Sequence, residues 1–159
     1  MAGFRATGWI VLLLGLTGCG SVPLEEQTPA GRDLSGVWTA TDADVAAGGS
    51  TFRSGFMVQD FPLLVARRMR IEQDARSMGI EYDRGSYRDV SWGERRRGIW
   101  EVRAGWNEGA LHIYSKAPDT SAAEIWRLSP DGEQLTIEVE VRAGRTQTFR
   151  RTFSRASGV

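Results

Sequence analysis

Three reactive residue types are almost missing from this chain. It has one cysteine, Cys19, one histidine, His112, and one lysine, Lys116, in 159 residues. A single cysteine excludes an intramolecular disulfide and a cysteine-rich zinc site. A single histidine excludes a His-pair metal site. An excess of either charge is also missing: 20 basic residues face 20 acidic ones. Phosphate-binding chains usually show a basic surplus, so nucleic acid is not expected as a partner. Long amphipathic helical periods are absent, which argues against parallel βαβ folds. The length suits one domain.

What is present begins with an address. Residues 1–5 carry Arg5 and the amino terminus, and an apolar run follows from Gly8 to Leu16. A membrane-spanning helix needs about 20 apolar residues, so this run is too short and reads as a signal peptide over residues 1–18. It ends in Leu16-Thr17-Gly18-Cys19. That tetrapeptide resembles the lipobox of bacterial lipoproteins. The resemblance implies diacylglycerol on the Cys19 thiol, cleavage before Cys19 and acylation of the new amino terminus. Stable anchoring takes two lipid signals, a requirement that several acyl chains on one residue exceed. Aspartate after the lipidated cysteine retains such proteins in the inner membrane. Gly20 stands there instead, which implies the outer membrane, with the protein facing the periplasm.

Residues 19–32 form the expected lipidated cysteine and flexible tether. Pro23, Pro29, two glycines and two glutamates give no apolar period. Residues 33–159 are the expected folded domain. Candidate turns lie at Asp83-Arg84-Gly85, Gly93-Glu94, Asn107-Glu108-Gly109, Pro118-Asp119, Pro130-Asp131-Gly132 and Ala143-Gly144. Between them short runs alternate with period two, which points to an all-β antiparallel meander of about eight or nine strands. Over 133–142, Leu135, Ile137, Val139 and Val141 share the apolar face. Trp100, Val102, Ala104 and Trp106 share another. The strand around His112 and the one over 122–128 read as apolar on both sides. Residues 42–67, broken at Gly48-Gly49-Ser50, fit an edge strand, a short helix, a flap or a packed loop.

Gly36-Val37-Trp38 opens the first strand and Arg151-Thr152-Phe153-Ser154-Arg155-Ala156 forms the last. These two ends resemble the lipocalins and their calycin relatives, which include the fatty-acid-binding proteins. The resemblance implies a single antiparallel up-and-down β-barrel. It also implies an arginine packed across the barrel-floor tryptophan. Phe153 replaces the tyrosine of the fatty-acid-binding pattern, so a hydroxyl for a ligand carboxylate is missing. Three roles stay open for Arg151: a structural plug over Trp38, an anchor for a ligand carboxylate, or a surface residue. Arg88 raises the same question, because Val90 and Trp92 share its face. Trp38, Arg88, Trp100 and Arg151 are thus the candidate ligand-binding residues.

Catalytic signatures are weak. No nucleophile elbow, Walker loop or dinucleotide glycine fingerprint occurs. Glu138 and Glu140 lie on a polar strand face, where carboxylates are solvated. Arg95-Arg96-Arg97 reads as a solvated hairpin tip, with lipid phosphate or an anionic glycan as the functional alternative. No enzyme, cofactor or metal is expected. Two functions remain. One is a lipid-anchored barrel that binds an apolar or amphiphilic ligand. The other is a structural or assembly lipoprotein with a solid barrel that acts through an envelope protein. The volume left inside the barrel separates them.

Overall fold

The computed structural model describes residues 22–41 and 61–156. Ten strands follow one another: β1 (Gly36–Ala40), β2 (Arg68–Gln73), β3 (Ser77–Tyr82), β4 (Arg88–Ser91), β5 (Gly93–Arg97), β6 (Trp100–Asn107), β7 (Ala110–Ala117), β8 (Thr120–Leu128), β9 (Gln134–Ala143) and β10 (Arg145–Arg155). All pairings are antiparallel, and the spatial order is β4-β3-β2-β1-β10-β9-β8-β7-β6-β5. Apart from β4 and β5, which form the two ends of this order, neighbours in sequence are neighbours in space, and the first strand joins the last. The fold is a nearly closed antiparallel up-and-down barrel, with ten strands rather than eight or nine.

The extra strands arise around Trp92. The expected turn at Gly93-Glu94 is instead a break at Trp92 between β4 and β5, and the true hairpin lies at Gly98-Ile99. The Arg95-Arg96-Arg97 run is accordingly not a hairpin tip. It lies in β5, in register with Val102, Glu101 and Trp100 of β6. A run of three like charges hides a strand from an argument based on apolar alternation.

Several turns form where the sequence places them. At Glu108-Gly109 φ is 50° and 73°. Two successive positive values are what a two-residue hairpin loop needs to match strand twist. The β9 face is also as expected, with Leu135, Ile137, Val139 and Val141 all buried. The strand around His112 is one-sided, since Leu111 and Ile113 are buried while His112 and Tyr114 are half-exposed. Of the uncertain stretch, residues 42–60 lie outside the described residues, and Pro62–Leu64 is a short 3-10 turn with all three side chains buried.

Residues 22–32 do not behave as a free tether. Glu25 exchanges two backbone hydrogen bonds with Trp106, at 2.8 and 2.9 Å. It thereby continues the ladder on β6 beyond the end of β5. The Thr28 amide donates to Ala75 O at 3.0 Å, and Trp92 Nε1 donates to Thr28 Oγ1 at 3.2 Å. The segment crosses one end of the barrel like a strap. Gly105 makes room for it, because a Cβ there would sit 2.8 Å from both Leu24 Cβ and the Glu25 carbonyl oxygen. The strap end is closed, and the opposite end, ringed by the β3–β4, β5–β6 and β7–β8 turns, is the mouth.

Candidate functional site

Alternation along each strand sends one set of side chains inward. At the closed end that set packs solid. Trp38, Trp106, Trp126 and Phe153 are all buried, with Met69, Leu34 and Leu135 among them. Trp38 Nε1 donates to Leu34 O at 2.9 Å. The cation over its ring is Arg155, whose Cζ lies 4.3 Å from the ring centroid. Of the three roles left open for Arg151, the plug over Trp38 is filled by Arg155 instead. The reason is register: Trp38 on β1 stands directly opposite Arg155 on β10. Arg155 also donates to Ser35 O, and to Gly132 O at 2.8 Å.

Arg151 is buried elsewhere. Its Nη1 donates to Leu64 O at 2.8 Å and its Nη2 to Ala66 O at 2.5 Å. It fastens the segment after the 3-10 turn to the last strand, and its Cζ lies 5.2 Å from the Phe153 ring.

Above the tryptophan layer the interior turns polar. Arg88, 9% exposed, reaches inward from β4, and Glu124, 0% exposed, reaches inward from β8. Arg88 Nη1 donates to Glu124 Oε2 at 3.0 Å and Nη2 to Oε1 at 2.7 Å, a two-pronged pair across the barrel. Trp126 Nε1 donates to the same Oε2 at 3.1 Å. Burial alone would lower the Arg88 pKa, but the facing carboxylate, together with Tyr82, reverses that and holds it above its ordinary value. Glu124 was missed as a functional residue. Its signal was the two-residue spacing to Trp126, which puts both on the inward face.

Tyr82 shares this layer, and burial pushes its phenol up to about 12. In the unfolded chain it ionises near 10, so its stabilising contribution is complete below that pH and is lost as pH rises toward the folded value. A shift of that size corresponds to roughly 2–3 kcal/mol. Denaturant titrations at about pH 9 and about pH 12 should show the loss, and Tyr82→Phe should lose less.

The mouth lies above the ion pair. A pocket of about 420 Å³ opens there, lined by Phe61, Arg88, Arg97, Trp100, Val102 and Ser115 among others. Phe61 and Trp100 meet edge to face, with ring centroids 5.9 Å apart. Arg97 donates to Tyr87 O at 3.5 Å on the rim. Beside the mouth the edges of β4 and β5 do not pair, and a slot of about 450 Å³ runs between them. Of the four candidate ligand residues, the structure brings Arg88 and Trp100 together at this pocket and puts Trp38 and Arg151 in packed regions. Cys19 lies outside the described residues.

The other sequence candidates occupy the outer surface. Glu138 pairs with Arg127 and Glu140 with Arg142, each on the exposed face. His112 faces the Tyr114 hydroxyl at 3.3 Å. Burial, then the charge of Arg127, keeps its pKa below the ordinary value. Among the described residues no group of three His, Cys, Asp or Glu could hold a metal ion.

No family model and no curated protein matches the chain. Solved structures do. A SAHS (secretory abundant heat soluble) protein from Ramazzottius varieornatus superposes with a TM-score of 0.51 at 14% identity, covering 82% of this chain and 99% of that one. The fluorescent protein UnaG superposes with a TM-score of 0.51 at 14% identity, covering 77% and 97%. A point variant of UnaG gives 0.53, covering 79% and 97%. At such identity these likenesses establish the barrel and nothing finer.

Proposed function

We propose that this chain is a lipid-anchored envelope protein whose barrel takes a small amphiphile at its mouth, and that it is a binding protein rather than an enzyme. The mouth pocket carries the reading. Its 420 Å³ lie within the range of small-molecule sites, and its wall joins Phe61, Trp100 and Val102 to polar groups at the floor and rim. The lipobox at 16–19 supports the anchor, and Gly20 supports the outer membrane.

The geometry changes the view of how a ligand would be held. Arg151 is engaged by two backbone carbonyls and Arg88 by Glu124. Glu124 stands where the carboxylate of an inward-pointing acid would go. A head group is therefore better met at the rim, by Arg97, with the apolar end against Phe61 and Trp100. A chain of residues 20–159 keeps every described contact and suits the test. Titration with a lysophospholipid or a short fatty acid should change tryptophan emission saturably. Arg97→Gln should weaken acids by several-fold more than neutral analogues, whereas Trp100→Ala should weaken both. Absence of any saturable change overturns the ligand reading.

The solid packing of Trp38, Trp106, Trp126 and Phe153 favours the second reading, a barrel that acts through an envelope protein partner. The anchor is tested separately. Cys19→Ser should abolish incorporation of labelled fatty acid, since no second cysteine can accept it. Label retained on that variant would defeat the assignment.

A further inference from the structure

We propose that the outer face of β5, β6 and β7 is the membrane-facing side of the barrel and docks on anionic phospholipid headgroups. This rests on the lipidation of Cys19 proposed above. The first observation is where the described chain starts. Val22 lies against the outer face of β6, where its carbonyl accepts from Arg103 Nη2 at 3.2 Å. Leu24 and the Glu25 carbonyl lie over Gly105 on the same face, and the paired bonds between Glu25 and Trp106 fix this part of the strap against β6. Cys19 precedes Val22 by three residues. Three residues reach at most about 11 Å, so a lipid on Cys19 holds this face near the bilayer and leaves little freedom to swing away.

Charge is the second observation. A hollow of about 650 Å³ runs over this face, and its lining includes Arg96, Arg103 and Lys116, with Arg95 at the β5 edge where the slot toward β4 begins. With Arg142 that makes five cations against the three carboxylates Glu94, Glu101 and Glu140. One carboxylate, Glu140, is already paired with Arg142. The remaining surplus is mostly arginine, whose planar fork matches phosphate oxygens two at a time. Screening at physiological salt sets in over about 8 Å. A tether of comparable reach keeps these groups where they sense the headgroups.

Apolar exposure is the third. Val22 is 40% exposed on the strap, and Ile99 is 64% exposed at the tip of the β5–β6 hairpin. Apolar side chains beside arginines suit the boundary between headgroups and acyl chains. Glu72, on β2, is exposed at a distant position in the strand order.

The full chain is reconstituted in vesicles of phosphatidylethanolamine and phosphatidylglycerol. Lipid on Cys19 leaves an introduced cysteine as the sole free thiol for a fluorophore. Probes at Ile99→Cys and Lys116→Cys should be quenched by bromine-bearing lipids several-fold more than a probe at Glu72→Cys. Arg95→Glu with Arg96→Glu should bring the first two down to the third while the protein stays anchored. Protein that takes up no labelled fatty acid overturns both the anchor and the orientation. Labelled protein with equal quenching at the three positions overturns the orientation alone. Quenching that survives the charge reversal overturns the role of anionic headgroups.

Discussion

Replacing Glu124 by alanine should lower the unfolding free energy by about 3–5 kcal/mol, because it strands the buried Arg88 guanidinium without a partner. The carboxylate is the acceptor for both Arg88 nitrogens and for the Trp126 indole, so one truncation empties three hydrogen bonds. Urea denaturation should show the midpoint falling with an unchanged slope. The companion experiment removes the pair together. Arg88→Met with Glu124→Leu should recover part of the loss, since two apolar side chains of similar volume need no compensation while the Trp126 indole still lacks its acceptor. If the single and the double variants were equally unstable, the ion pair would not be the source of the effect.

A still larger effect is expected from Val139→Asp. Val139 is 0% exposed and stands directly opposite Glu124 across the β8–β9 ladder. The new carboxylate would lie in the barrel interior beside an existing one, with the Arg88 guanidinium already committed to the first. Burying a charge without its own partner costs several kcal/mol even after relaxation, and like charges side by side add to it. Typical domain stability is about 5–15 kcal/mol, so the variant should lose its cooperative transition. Loss of the near-ultraviolet tryptophan dichroism would report this. A native-like spectrum with an ordinary midpoint would show that the interior is far wetter than the packing indicates.

The two positions also show how much of the architecture is legible in the residues. Val139 belongs to a strand whose four inward apolar residues alternate without a break, and such a pattern has one solution on a half-buried sheet. Glu124 sits on a strand with apolar residues of both parities, Ile125 as well as Trp126, so alternation alone left its face undecided. Its partner is 36 residues away. Nothing local to Arg88 announces that pairing, because it is set by the diameter of the closed barrel.

The strap and the floor follow the same logic. A stretch rich in proline and charge has the same composition whether water or a strand edge satisfies its backbone. The backbone hydrogen bonds of Glu25 and Thr28 run to backbone atoms of Trp106 and Ala75, which carry no side-chain signature. At the floor, Arg151 and Arg155 share a face and differ only in height. Register with Trp38 selects Arg155, and register depends on the length of every preceding hairpin. Arg88 and Trp100 meet at the mouth pocket, while the contacts that settle Arg151 and Arg155 come from register alone.

On the lipid anchor proposed above, the slot between β4 and β5 bears on how neighbouring copies meet in one leaflet. A sheet edge with unpaired amides and carbonyls is a template for another chain, and copies held by such an anchor would meet more often than free ones. The β5 edge carries Arg95, Arg96 and Arg97, all exposed. Two such edges approaching each other bring six guanidinium groups together before any backbone bond can form. That repulsion works against pairing of one β5 edge with another and so guards this side of the open seam beside the mouth.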